Sequence, residues 1–232
     1  MIYNVFKQQV QYMPLYFKAF GIANIIVLLI VTSKFITIIS EPTVFTSGSM
    51  MFATVYTQMF GKFAIGLIYL LVTSLIAVSH ISYRFTDYLT IGTRQILFYQ
   101  ILVQSILAQF LLWAPWAMLT ATSFVGLGTI TNPQTLAILL LGLVQVYFTQ
   151  LFLVLIALIG LMLTEKKAIG IFVAISLNLL LFSLHQIGIS MPLGRFTEFE
   201  APLAKLINCL SLLPMLYIIS AILNAIVKGR DY

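Results

Sequence analysis

The sequence predicts an all-α membrane protein with six transmembrane helices, and three observations lead there. Of its 232 residues, 61% are hydrophobic and 8% charged, with a mean hydropathy of +1.08, whereas soluble domains carry about 25% charged residues. The apolar residues recur in separate long runs along the whole chain rather than in one leader or one anchor. The cations fall mainly between those runs, as topology-setting residues do.

A helix needs about 20 predominantly apolar residues to cross the hydrocarbon core. Six stretches meet that need, at about 20–40, 62–81, 98–120, 135–163, 168–188 and 204–227. The fourth, QTLAILLLGLVQVYFTQLFLVLIALIGLML, is longer than the core requires and should tilt or project. Only TEKK separates it from the fifth, so those two should form a tight antiparallel hairpin. No linker or repeat divides the chain, which reads as one transmembrane domain, 1–232.

With the N-terminus in the cytoplasm, Lys7, Lys18, Arg84, Arg94, Lys166, Lys167, Lys228 and Arg230 lie inside. Only Lys34, Lys62, Arg195 and Lys205 lie outside or near the outer boundary. That bias puts both termini in the cytoplasm. The net charge of +6 is scattered in this way and forms no basic block, so nucleic acid is not an expected partner.

The segment before the first span is amphipathic. Ile2, Phe6, Val10, Met13 and Phe17 recur at helical spacing, opposite Asn4, Lys7, Gln8, Gln11 and Lys18, with a break at Pro14. Residues 1–18 are expected to form a helix lying in the cytoplasmic interface. They are too polar for a signal peptide and lack a small-residue cleavage site, so the mature chain should begin near Met1. On the outer side, residues 41–61 are expected to re-enter partially or pack at the interface. Residues 189–203 should make a short structured excursion.

Catalytic parts are scarce. No Asp or Glu falls mid-span, which removes the usual carboxylates of ion coupling. His80 and His185 are too few for a metal centre, and the single cysteine, Cys209, permits neither a disulfide within the chain nor a thiolate cluster. His185 stands two residues from Ser183 on one predicted helix, so the two do not face each other, and it reads as a helix-end polar residue. TSGS at 46–49 is not an intramembrane protease motif, and no P-loop string is present. The chain is therefore read as non-catalytic, without a cofactor of its own.

What the spans do hold is amide and hydroxyl: Gln100, Gln104 and Gln109 on the third, Gln145, Tyr147 and Gln150 on the fourth, and Asn178, Asn208 and Asn224 beyond. Two readings stay open. The amides join helices at about 1 kcal/mol each, or Gln104, Gln109, Gln145 and Gln150 form an uncharged polar wall along a substrate path.

One interval stands out. SYRFTDYLTIGTRQIL, residues 82–97, lies on the cytoplasmic side and is far longer than a turn needs. Arg84, Asp87 and Arg94 alternate with aromatic and aliphatic residues, and Gly92 offers a break before the next span. Aromatic and arginine side chains are common anchors at protein interfaces, so the interval reads as a docking helix.

This arrangement resembles the ABC-2 type permease family. The likeness lies in six spans, an interfacial N-terminal helix, a charged helical insert after span two and a short outer excursion before span six. In residues it rests on the string from Arg84 to Leu97, which resembles the family's segment ending in Gly-x-x-Arg before an apolar helix, although Gly92-Thr93-Arg94 is one residue shorter. The chain lacks the acidic residue with Gly-Thr that many members carry after the second span, which leaves the subfamily open.

The resemblance implies a type V exporter-like fold in which residues 1–18 are the elbow helix and 82–97 the coupling helix. Arg84, Phe85, Asp87, Tyr88, Gly92 and Arg94 would dock in a cleft of a separate ATPase subunit, which binds the ATP and Mg. It further implies a second permease copy or a related permease, a bacterial cytoplasmic membrane, and export of an amphipathic substrate such as a peptide toxin, bacteriocin or drug-like molecule. Two alternatives remain at this point: the substrate-binding membrane subunit of a vitamin importer, and a non-transporting peptide-immunity protein.

Overall fold

The computed structural model describes residues 17–40, 48–80, 94–189 and 191–229. It is all-helical, with no strand among those residues. The α-helices, in order, are α1 (Phe17–Ser40), α2 (Gly48–Met59), α3 (Leu70–His80), α4 (Arg94–Gly126), α5 (Pro133–Thr164), α6 (Lys167–Gln186) and α7 (Pro202–Gly229). A π-helical segment, Lys62–Tyr69, runs into α3, and a 3-10 turn, Arg195–Thr197, precedes α7. Residues 1–16 of the expected interfacial helix and 82–93 of the expected docking interval lie outside the described residues.

Among the described residues five helical stretches are long and apolar enough to span a membrane: Met50–Ile76, Arg94–Gly126, Pro133–Thr164, Lys167–Gln186 and Pro202–Gly229. In α1 the apolar stretch Asn24–Ile38 is shorter than these. The 32 residues of α5 reach about 48 Å at 1.5 Å per residue, well beyond the ~30 Å hydrocarbon thickness.

The first of the five stretches begins well before residue 62, where the sequence pattern placed it. Gly48–Met59 is helical because Phe52, Tyr56 and Phe60 recur every four residues and bury one aromatic stripe. Phe52 meets Phe124 at 5.3 Å between ring centroids, and Phe60 meets Trp116 at 5.6 Å. Gly61, at φ −55° and ψ 138°, interrupts the helix there.

The start of α5 is set by the string TNPQT. Asn132 Oδ1 accepts from the Thr135 amide at 2.9 Å, the Asn132 amide donates to Thr135 Oγ1 at 3.3 Å, and Pro133 needs no amide partner in the first turn. At the other end Glu165 takes a left-handed conformation, φ 61°, and α6 begins at Lys167. The hairpin read from TEKK is present.

The long α5 is buried over most of its length, and α3, α4, α6 and α7 pack around it. Arg94, the first residue of α4, donates to the carbonyl of Lys228 in the last turn of α7. Leu97, Leu161, Met162, Leu223 and Val227 share one apolar cluster beside that contact. Arg94, Lys166, Lys167 and Lys228 therefore gather at one end of the bundle.

The interior divides into two apolar cores. One, at the basic end, joins the first half of α4, the second half of α5, α6 and the second half of α7. The other joins α1, α2, the π segment, the second half of α4 and the first half of α5. Between them run Thr73, Ser74, Gln109, Gln145, Thr149 and Gln150, all buried.

Helix α6 meets α5 through small residues. A Cβ at Gly170 would collide with the backbone of Ala157 and Leu161, which cannot yield as a flexible side chain would. Small residues that let backbones approach are a main source of helix association in lipid. Gly170→Leu should lower stability by about 1–3 kcal/mol, read as a fall in the thermal midpoint of the detergent-solubilised protein. Gly21→Ala, within α1 where a Cβ meets nothing within 4 Å, should not lower the midpoint.

Candidate functional site

Two polar constellations lie within the bundle. The first is the mid-bundle layer. Gln150, halfway along α5, donates through Nε2 to Thr73 Oγ1 of α3 at 3.0 Å. Gln109, halfway along α4, points its Nε2 at the Thr73 carbonyl at 3.5 Å. Thr73 returns its own hydroxyl proton to Tyr69 O at 2.8 Å. The Tyr69 hydroxyl donates to Leu112 O at 3.2 Å, close to Pro115, and Trp113 Nε1 donates to Leu143 O at 2.9 Å. Three helices are thus tied at mid-depth by uncharged groups.

The structure places the four path glutamines differently. Gln109 and Gln150 converge on Thr73. Gln145, also fully buried, turns away from them and donates to the Pro192 carbonyl at 3.0 Å. Gln104 lies half-buried on α4.

The second constellation surrounds the segment 191–200, the excursion read from the sequence. It folds into the non-basic end of the bundle and is held from several sides. Lys205, in the first turn of α7, is fully buried. Its ammonium donates to three carbonyls of the segment: Arg195 at 2.8 Å, Phe196 at 3.3 Å and Glu198 at 2.7 Å. It also stands 5.0 Å from the centre of the Tyr56 ring, whose hydroxyl donates to Phe196 O at 2.9 Å. Gly142 leaves room for that hydroxyl, since a Cβ there would strike it.

Burying an ammonium costs several kcal/mol unless its protons are met. A lysine has three N–H donors, and here three carbonyls accept them. Charged hydrogen bonds of this kind contribute about 1.5–3 kcal/mol each. The Thr149 hydroxyl, 3.1 Å from Leu193 O, adds a further tether. Asn208 links Arg195 and Glu200, accepting from Arg195 Nη1 at 3.3 Å and donating to Glu200 Oε2.

Between this segment, the π helix, α5 and α6 lies a cavity of about 30 Å³, bordered by Lys62, Gly66, Thr149, Asn178, His185 and Thr197 among others. A water needs about 10–15 Å³ on this measure, so the cavity has room for roughly two waters. The π geometry brings Leu67 O within 3.5 Å of Asn178 Nδ2. Such segments are rare and often mark functional positions.

His185 Nε2 lies 3.0 Å from Thr197 Oγ1, and His185 Nδ1 lies 3.9 Å from Glu198 Oε1. Hydroxyl, imidazole and carboxylate thus follow in the order of a nucleophilic triad, but 3.9 Å is beyond hydrogen-bond length. The Thr197 hydroxyl is also within 3.2 Å of Gly194 O. The imidazole, in the last turn of α6, ties the segment to that helix.

Of the docking residues, Arg84, Phe85, Asp87, Tyr88 and Gly92 lie outside the described residues. Arg94 begins α4 and engages α7, as described above. The sequence reading passed over Lys205, Tyr56 and Thr73. A signal for Lys205 existed: a cation one turn into an apolar helix, preceded by Glu198 and Glu200 and followed by Asn208.

Combining Gln150→Leu with Thr73→Val in a double-mutant cycle should give a coupling of about 0.6 kcal/mol, at most about 1.7 kcal/mol, by unfolding in detergent. Additive effects would mean that the contact contributes nothing. No protein-family model, no curated protein and no solved structure matches this chain.

Proposed function

We propose that this chain is the permease subunit of an ATP-driven exporter. In this reading it has six spans, both termini lie in the cytoplasm of a bacterium, and it moves an amphipathic peptide or drug-like substrate outward. A separate ATPase subunit supplies the energy by pressing on residues 82–97.

The observation that carries the reading is the contact between Arg94 and the Lys228 carbonyl. The docking interval enters the bundle through α4, whose first residue grips the last turn of α7. A push on that interval would reach two of the long helices at once. The basic end of the bundle, with Arg94, Lys166, Lys167 and Lys228, is the side that the positive-inside rule assigns to the cytoplasm.

The interior supports a passive role. Its mid-depth polar groups are amides and hydroxyls, which neither carry charge across the membrane nor relay protons as carboxylates do. The 30 Å³ cavity is too small for an amphipathic molecule. In this reading the path forms between this chain and a second permease copy, with half-buried Gln104 the path residue best placed to meet it.

The test is retention of an ATPase chain on the tagged protein. Arg84→Glu together with Arg94→Glu should abolish co-purification of the ATPase while membrane insertion persists. Arg94→Ala alone, which removes the donor to the Lys228 carbonyl and leaves Arg84 in place, should weaken substrate-stimulated hydrolysis more than it weakens ATPase retention. Full retention and normal hydrolysis in the double variant would defeat the docking assignment.

A further inference from the structure

Helix α7 presents a broad exposed face, and at mid-depth that face carries two polar groups that the chain leaves unmet. Pro214 and Tyr217 stand at the middle of the 28-residue helix, and both are exposed. Pro214 has no amide proton, so the Leu210 carbonyl loses its usual donor. Tyr217 is 74% exposed, and only its main-chain carbonyl is engaged, by Ser220 Oγ at 2.8 Å. About 15 Å of hydrocarbon separates this level from either interface, too far for a phenol to snorkel to water. We infer that this face is where two copies of the chain meet, joined at mid-membrane by reciprocal hydrogen bonds from the Tyr217 hydroxyl of each copy to the Leu210 carbonyl of the other. The inference does not rest on the exporter reading, and its test needs neither an ATPase nor a substrate.

The chain itself shows how such a turn is completed. In α4, Pro115 interrupts the helix in the same way, and the Tyr69 hydroxyl donates from a neighbouring helical segment to the Leu112 carbonyl of that turn at 3.2 Å. Around Pro214 the acceptor and a phenol are both present, but they share one helix and one exposed face. They also share one level. A helical carbonyl points toward the C-terminus, so that of Leu210 aims at the place of the missing Pro214 amide. A helical side chain leans back over the preceding turn, which brings Tyr217 to the level of Pro214. Two copies inserted in the same sense are related by a two-fold axis along the membrane normal, which sets equal levels against each other and makes each contact occur twice. A face with one donor and one acceptor at one level is thus its own complement. Lipid tails supply neither group.

The rest of the face suits a helix pair. Ile207, Leu210, Pro214, Tyr217, Ala221 and Asn224 follow in alternating steps of three and four residues, the first five exposed, with no charge among them. That is the 3.5-residue period of a left-handed coiled coil. The Asn224 amide oxygen meets no donor in this chain, and a single amide on such a seam fixes register and strand number.

The experiment measures energy transfer between differently tagged copies of the full-length protein in lipid vesicles as the protein is diluted. Tyr217→Phe keeps the ring, removes both donors and should weaken association about tenfold. Pro214→Ala restores an amide that takes up the Leu210 carbonyl within the helix, and it should weaken association to a similar extent. The double variant should lie within about twofold of either single one, because each change breaks the same pair of bonds. In membranes under a mild oxidant, Ala221→Cys should form a disulfide-linked dimer at least about fivefold more readily than Ile222→Cys, which is exposed at the same depth but off the row. The unaltered chain, whose single Cys209 is buried, supplies the blank. An unaltered protein that stays monomeric would overturn the inference, as would Tyr217→Phe associating like the unaltered protein. Losses that multiply in the double variant, or equal cross-linking at 221 and 222, would overturn it as well.

Discussion

Hydrocarbon offers a polar group no hydrogen-bond partner, and this one constraint organises the bundle. Each amide, hydroxyl or ammonium placed inside must find its partner in the protein or carry a penalty of several kcal/mol. Gln150 and Gln109 accordingly turn toward Thr73, Tyr69 toward Leu112 O and Trp113 toward Leu143 O. Because the partners lie on different helices, satisfying them also sets the rotation of α3, α4 and α5 about their own axes. The two apolar cores alone would tolerate several rotations of nearly equal energy, since lipid tails are as apolar as the leucines that face them.

The same constraint acts most strongly on Lys205, the bundle's fully buried cation among the described residues. A methionine of similar volume would avoid the desolvation altogether, and such replacements are often neutral or stabilising. The lysine does what a methionine cannot: it fixes the course of a non-helical segment by its main chain. Irregular backbone at this depth is tolerated where the protein supplies its partners. Tyr56 contributes from below the ammonium, Gln145 and Thr149 from α5, and the His185–Thr197 contact from α6.

Close packing makes these contacts possible. Gly170 lets α6 approach α5, and Gly142 admits the Tyr56 hydroxyl. The aromatic stripe of α2 then spans the space to α4, with Tyr56 and Phe60 stacked at 4.3 Å. Phe199 of the excursion closes on the same stripe, 5.9 Å from Phe52 and 6.1 Å from Tyr56. Residues 48–59, which by composition suit the membrane surface, are thereby drawn into the core.

Much of the fold was legible in the sequence because hydropathy and length are local properties. The apolar runs near 98–120, 135–163, 168–188 and 204–227 each correspond to a long helix, and TEKK to the hairpin between α5 and α6. The start of the preceding stretch was not legible, since the stripe of Phe52, Tyr56 and Phe60 acquires its meaning only from Phe124 and Trp116, far along the chain. The glutamines were visible as polar groups in apolar helices, but not their partners: Gln109 and Gln150 share Thr73, whereas Gln145, five residues from Gln150, serves the excursion instead. Lys205 looked like a boundary charge. By itself the sequence determined that the chain enters lipid, which segments are helices and where cations collect, because these follow from composition and periodicity. Only the tertiary structure decided which polar groups meet and which lysine is enclosed, because a hydrogen bond depends on ångström-scale distances between residues that the chain order leaves far apart.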